Sequence, residues 1–583
     1  MFHRLYELSR SLPEREPWQR LNEGMPAQYD RGLAICFDRQ GEWSSVKTVS
    51  GNQGVVYRSG PPNGTDLTSC CKLASNTPNR LLRAAKNLAD CDGLVSEKRA
   101  WLGSSIASFE RNKDDIWAEV QAKRGQAGVD DKEHRGYVYW AQDPDIKPLY
   151  AWPEAKDFLV QQFLAPFAKG GTRKGQCSVC GRSNLTVYGN FSVLACYNLD
   201  KPGSIAGGFK PVQAHRNLPV CGDCTLALAD AATFAETYLS SNMAGQSYMI
   251  LPYANAPSVR EELYHSLREH PDRYRLSKAH DLVGEELELM GEFAGYGDQL
   301  AFALIFFKSD QAAWRIQAEV QQLLPSRMQA LHKAIKNITR ADDLASEDKK
   351  NSKPLHITAM TFKTFSGTAQ EVSADTLRAW LVALFEHRLI DYKNFLHHLV
   401  SKLISTGKSK PEFLHWMTRQ AWGLYRYAML TDLITQNEAK EQPSMQEAIP
   451  DSAYGRYVET HRDFFNRPEL VAAFLSGCYA SLVASVQRQE RGADPFTKKF
   501  IGRLLSRQQL RRLYREGHDK LAQYGKLGYV VKTLDPDLAT AWVACEDRWT
   551  INDEEATFAF TIGYSLAYRI QQIDSQDDNQ DPE

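Results

Sequence analysis

The 583-residue chain lacks any apolar run long enough to suggest a membrane span. Its densest, "LAFALIFF" at 300–307, falls far short of the roughly 18 residues such a span needs. The opening "MFHRLYELSRSLPEREPW" lacks the apolar stretch of a secretory signal, so a cytoplasmic protein without a membrane partner is expected. Net charge is almost absent, at −1, which removes any global electrostatic argument for nucleic acid and leaves only local patches. Eleven cysteines in so long a chain do not make a disulfide framework; in a reducing compartment, clustered thiols read as metal ligands.

Catalytic signatures are missing as well. There is no Gly-x-Ser-x-Gly and no Gly-x-Gly-x-x-Gly after a strand. No His-x-Glu precedes a cysteine pair, which excludes the zinc-deaminase pattern. "HSLREH" (His265 to His270) has its histidines one residue too far apart for an inverted zincin, and "STGKSK" ends like a phosphate loop but has Lys402 where the first glycine belongs. The acid pairs Asp114–Asp115 and Asp130–Asp131 are expected in charged loops, where they read as solvated faces. A non-catalytic protein is expected.

What is present describes a folded chain of two to four domains: 43% hydrophobic residues, 24% charged, 25 Tyr and 25 Phe. "GLAICFDRQGEWSSVKTV" reads as two strands around an Arg-Gln-Gly turn. "NTPNRLLRAAKNLADC" reads as a basic amphipathic helix with Leu81, Leu82, Ala85 and Leu88 on its apolar stripe. Residues 122–136 suit an exposed loop or a boundary. Beyond about residue 240 the pattern is taken as mainly helical, including "AFALIFFKSDQAAWRIQAEVQQLLPSRMQALHKAI" and "ADTLRAWLVALFEHRLIDYKNFLHHLVSKLI", with polar linkers at 340–354 and 435–452. The expected class is α+β. It comprises a mixed N-terminal domain (1–165), a zinc-stapled region (166–240), a mainly helical middle (241–440), a C-terminal helical bundle (441–575) and a disordered acidic tail (576–583).

Two Cys-x-x-Cys pairs, Cys177/Cys180 and Cys221/Cys224, offer four thiolates on tight turns, with Gly181 and Gly222 in or next to those turns. Four soft ligands favour a closed, structural Zn²⁺, with an iron–sulfur cluster or free cysteines as the alternatives. His215 or Cys196 could replace a ligand. The other cysteines, Cys36, Cys70, Cys71, Cys91, Cys478 and Cys545, read as small buried hydrophobes.

Residues 487–532 carry 12 Lys or Arg against four acids. Arg503, Arg507, Arg511 and Arg515 recur every four residues and would form one stripe on a helix, preceded by Lys498 and Lys499, while Leu510, Leu513, Leu521 and Tyr524 face the core. Such a stripe can follow a phosphate backbone, or it can be a solvated face partnered by Glu516, Asp519 and the acidic tail.

The cysteine block runs Cys-x-x-Cys-Gly, Tyr188-Gly189, an aromatic-rich stretch with Asp200-Lys201-Pro202-Gly203, then Asn217-Leu218-Pro219-Val220-Cys221-x-x-Cys224. In this order it resembles the large subunit of type I-B CRISPR Cascade complexes. "LAFALIFFKSDQAAWRIQAEVQQLLPSRM" looks like that family's central segment, and the region from "IPDSAYGRY" through "DPFTKKFIGRLLSRQQLRRLYREGHDKLAQYG" is similar to its C-terminal helical part. The likeness runs from about residue 175 onward; the first 150 residues match loosely, chiefly at "RSGPPNGTDLT".

The resemblance implies a non-catalytic scaffold that reads a protospacer-adjacent motif and supports R-loop formation on double-stranded DNA. It also implies a zinc-bearing centre and a C-terminal helical domain along the displaced strand. Implied partners are the backbone, 5′-handle and small subunits, a CRISPR guide RNA, the target duplex, and either a helicase-nuclease for antiviral defence or an adaptor for guided transposition. The small subunit would arise by internal translation, with Met445 as candidate start. Asn63, Lys72, Asn76, Asn79 and Arg80, polar side chains on or near loops beside a basic helix, are the candidate motif readers. The competing class is a zinc-ribbon protein–protein adaptor that binds no nucleic acid.

Overall fold

The structure is a computed structural model. The structure describes the chain apart from residues 1, 13, 61–65, 75, 130–132, 169–170, 190–204, 206–207, 255, 257, 260–261, 264, 266–296, 311–312, 346–353, 368–369, 436–451, 529–531, 533, 547 and 578–583. It divides into two compact units, one mainly Met1–Tyr238 and the other mainly residues 239–583.

The first unit begins with helices α1 (Phe2–Ser11) and α2 (Pro17–Leu21) and strands β1 (Arg31–Phe37), β2 (Trp43–Ser50) and β3 (Cys70–Lys72). Helices α3 (Thr77–Ala89), α4 (Ser96–Arg111) and α5 (Lys113–Gln126), strands β4 (Gly136–Gln142) and β5 (Lys147–Pro148), and helix α6 (Pro153–Ala168) follow. The sheet order is β2-β1-β4-β3, with β5 on β4, and β1 runs parallel to β4 but antiparallel to β2.

The alternation of side chains along β1 builds two cores. Leu33, Ile35 and Phe37 pack with Leu81, Leu102, Phe109 and Trp140 on one face, while Ala34 and Cys36 join Tyr57, Tyr137, Tyr139 and Leu159 on the other. The expected hairpin is β1–β2, with Gly41 at φ +87 in its turn. The expected basic helix is α3; Leu81, Ala85 and Leu88 are buried as expected, while Leu82 is half-buried and Ala84 is buried in addition. Residues 122–126, taken as loop, continue helix α5, and the chain turns only at Ala127; Asp114 and Asp115, also expected in a loop, stand exposed in the first turn of that helix.

A small antiparallel sheet of β6 (Thr172–Gly175), β7 (Leu185–Tyr188) and β8 (Val220–Cys221) leads into α7 (Gly222–Tyr238) and closes the unit.

The second unit departs from the helical expectation at its start. "LAFALIFFKSDQAAWRIQAEVQQL" forms two strands, β11 (Leu300–Asp310) and β12 (Ala313–Leu323). They join β9 (Ser240–Met243) and β10 (Gln246–Ala254) in a sheet of order β12-β11-β10-β9. The physical reason lies in the alternation: Trp314, Ile316, Ala318 and Val320 are interleaved with Arg315, Gln317, Glu319 and Gln321, a period of two. Residues 301–306 are buried along the whole run, as suits a strand inside a sheet.

Helices then take over: α8 (Pro325–Thr339), α9 (Ala359–Phe365), α10 (Gln370–Phe385), α11 (Tyr392–Ser409) and α12 (Leu414–Leu430). The C-terminal bundle is α13 (Ala453–Thr460), α14 (Pro468–Arg491), α15 (Arg507–Gln523), α16 (Asp535–Ala544) and α17 (Asp553–Asp577). Helix α14 is long and apolar enough to cross a membrane by composition, yet 83% of its apolar window is buried inside the protein. It packs on α17 through glycines on both sides: a Cβ at Gly477 would collide with the Phe560 carbonyl, and one at Gly563 with the Phe474 carbonyl. The absence of side chains there lets the two backbones approach.

Candidate metal centre and nucleic-acid surface

The four sulfurs of Cys177, Cys180, Cys221 and Cys224 all lie within 4.8 Å of one another. The first pair sits in a turn after β6, where Gly181 adopts φ +73 and its N–H reaches the Cys177 carbonyl at 2.9 Å. The second pair spans a strand–helix junction: Cys221 ends β8 and Cys224 lies in the first turn of α7. Cross-links bring the two together, since the Ser178 N–H donates to the Pro219 carbonyl at 2.8 Å and the Cys221 N–H to the Cys177 sulfur at 3.3 Å. Cys177, Cys221 and Cys224 are buried and Cys180 is partly exposed.

Sulfurs around a tetrahedral zinc stand about 3.8 Å apart, from Zn–S bonds of about 2.3 Å, so this cluster needs only a small contraction to hold a cation. Cys221 is pushed down to about 5, first because the Cys224 thiol donates to it; Cys224 is correspondingly raised. The fold thus holds at least one thiolate ready, and a divalent cation would convert the rest. With four thiolates the coordination shell is full, which suits a structural staple rather than a catalytic centre. His215 is half-buried, with Nδ1 at 3.1 Å from the Val212 carbonyl, and is not part of the cluster; Cys196 lies outside the described residues.

Two neighbours escaped sequence reasoning. Arg182 donates to the Cys180 sulfur at 3.5 Å and to Asp223 at 2.9 Å, bridging the two cysteine turns. Tyr6, on α1, is raised above its ordinary value, first by burial and then by the nearby Cys224 and Cys180. Arg182 directly follows Cys-Gly and could have been suspected; Tyr6 stands 171 residues before the first cysteine of the cluster and carried no signal.

The N-terminal candidates are largely engaged within the protein. The Lys72 ammonium sits over the rings of Tyr29 and Tyr57, 5.3 and 5.2 Å from their centroids. Arg80 pairs at 2.6 Å with Asp66, whose side chain is 1% exposed. Asn79 accepts from Lys113 at 2.7 Å, and Asn76 is exposed at the N-terminus of α3. Asn63 and Met445 lie outside the described residues, as does most of the acidic tail.

The C-terminal stripe is sorted by the structure into clamps and free charges. Helix α15 starts at Arg507, behind a capping box of Ser506 and Gln509, so Arg503 stands in the preceding turn and not on the helix as expected. Leu510, Leu513 and Leu521 are buried as expected, and Tyr524 is half-buried. Arg507 donates to the carbonyls of Cys545 (3.2 Å) and Glu546 (2.7 Å) beneath the Trp549 ring, which makes it a structural clamp. Arg511 is exposed with its guanidinium 5.2 Å from the Trp542 centroid, and Trp542 stacks on Trp549 at 5.5 Å. Glu516 takes up Lys499 and Arg512, and those cations hold its carboxyl below the usual range. Lys498, Arg503 and Arg515 are exposed and make no ion pair among the described residues.

The C-terminal region, residues 361–577, matches the C-terminal domain of the CRISPR-associated protein TM1802, and residues 174–323 match that protein's central domain. The chain belongs to the TM1802 family of CRISPR-associated proteins. The central match contains all four clustered cysteines, and the C-terminal match contains the whole basic stretch. Membership places the chain in a CRISPR system and in the setting of a CRISPR effector complex. No curated protein matches it.

The second unit also holds a cleft of about 590 Å³ lined by Asp343, Arg426, Arg456, Tyr457, His461 and Asp574, among others. Arg426 grips Asp343 through two contacts of 3.0 Å, and Arg456 reaches Asp574 at 2.6 Å, so these charges satisfy one another.

Proposed function

We propose that this chain is the non-catalytic large subunit of an RNA-guided type I-B surveillance complex. It recognises the protospacer-adjacent motif and supports R-loop formation on double-stranded DNA, in the cytoplasm. Guide RNA would read the target by base pairing, leaving the protein to hold backbones and to stabilise separated strands. The observation that carries this proposal is the set of exposed cations Lys498, Arg503, Arg511 and Arg515, which remain available after clamps and ion pairs are subtracted, inside the family-matched C-terminal domain. A structural zinc at the four cysteines would fix the geometry of the β6–β8 sheet and the start of α7.

The test is the fourfold substitution of these cations by Gln in the assembled complex, with R-loop opening on a target duplex followed by permanganate reactivity of the displaced strand. Opening should fall at least tenfold, with guide RNA retained. Opening at the wild-type rate would overturn the assignment of these residues.

A further inference from the structure

The "STGKSK" segment fails as a phosphate loop, yet the fold brings it to the basic stretch from a different part of the chain. Gly407, in the last turn of α11, lies against Gly502: a Cβ on Gly407 would be 2.7 Å from the Gly502 nitrogen. A Cβ on Gly502, which adopts φ +73, would meet Lys408 at 2.7 Å. This contact sets Lys408 beside the turn that carries Arg503 and Leu504.

Lys408 and Lys410 are exposed and make no ion pair among the described residues. The Lys410 ammonium lies 6.0 Å from the centroid of Phe413, which is 50% exposed. Leu504 is 43% exposed and Trp416, three residues beyond Phe413, 47%. Glu412 is the one acid between Ser401 and Phe413.

We propose that the end of α11 and the 502–504 turn form one contact site for single-stranded nucleic acid, with phosphates at Lys408, Lys410 and Arg503 and a base stacked on Phe413. The site rests on the nucleic-acid function proposed above and adds to it a second element and a strand preference. A duplex keeps its bases stacked on one another and offers no ring face to Phe413, whereas an unpaired base does. The cations serve either form, so the exposed ring beside them is what selects the single strand.

The experiment uses the purified full-length chain with two fluorescent probes, a 20-nucleotide oligothymidylate and a 20-base-pair duplex, titrated across salt concentrations. The Lys408→Gln/Lys410→Gln variant should flatten the salt slope for the oligothymidylate by about 1.4, at about 0.7 per lost phosphate contact. Phe413→Ala should weaken the oligothymidylate about 5- to 150-fold with an unchanged slope and leave the duplex unaffected, and Phe413→Trp should restore binding. Wild-type oligothymidylate binding by both the lysine and Phe413→Ala variants, with weakened binding by Lys498→Gln/Arg515→Gln, would overturn this site and leave the broader function standing. Wild-type binding by all three variants would remove both. Loss of a copurifying subunit from the lysine and phenylalanine variants, with the oligothymidylate bound normally, would make the surface a protein-docking site and overturn the proposal.

Discussion

His461 should give the second unit a stability that disappears in mild acid. It follows α13, with Nε2 3.9 Å from Asp343 and its ring 4.5 Å from that of Tyr457 and 5.6 Å from that of Trp422. Around it, Tyr457 donates to Asp343 at 2.8 Å and accepts from Trp422 at 2.8 Å, while Arg426 grips the same carboxylate. Burial first, and then the Arg426 charge, outweigh the attraction of Asp343 and push the imidazole down to about 4. The folded protein therefore keeps it neutral where the unfolded chain, titrating near 6.5, takes a proton.

The associated stability is fully present above pH 6.5 and is lost as pH falls toward 4. At about 1.4 kcal/mol per pH unit, the loss between pH 7.5 and 4.5 is about 2 to 3 kcal/mol. Urea unfolding of the wild type and of His461→Gln at both pH values isolates this contribution from the carboxylates common to both. The wild type should lose about 2 to 3 kcal/mol more than the variant. Equal losses, or a His461 resonance titrating near 6.5, would refute the reasoning.

Other consequences follow from the same geometry. Gly477→Ala should force α14 off α17 and cost about 1 to 3 kcal/mol or more, read as a lower unfolding temperature. Arg80→Ala should destabilise the first unit by about 3 kcal/mol, because it strands the buried Asp66 carboxylate. Adding Asp66→Asn should recover most of that loss, whereas a stable Arg80→Ala chain that fails only in DNA recognition would make Arg80 a motif reader after all. The protein should carry one zinc per chain by elemental analysis, and Cys221→Ser should lose it and raise proteolysis between β6 and α7 by about tenfold or more. An iron signal with visible absorption would point instead to a cluster.

How much was visible beforehand depended on the range of the interaction. The β1–β2 hairpin, the α3 stripe and the four-cysteine cluster all follow from local spacing, and the structure places them as expected. The β11–β12 pair was missed because an apolar run such as "LAFALIFF" fits either a strand or a buried helix. The alternation from Trp314 onward was the signal that should have decided it. Arg503 was misplaced onto a helix although Ser506 and Gln509 spell a capping box that starts the helix after it. The Lys408–Gly502 approach and the influence of Cys224 on Tyr6 could not be read locally, since each joins segments far apart in the chain. The arginines raised a further difficulty: spacing shows where cations recur, but only the fold shows which ones are spent on Glu516 or on the 545–549 turn.

The most direct measurement is to express the full-length chain with the neighbouring CRISPR genes, pull on this chain, and sequence the copurified RNA. Membership of a guided effector complex predicts guide RNAs of uniform length with repeat-derived ends, together with a short C-terminal chain beginning at Met445. A zinc-bearing monomer that brings down no RNA would contradict it and make the protein an adaptor.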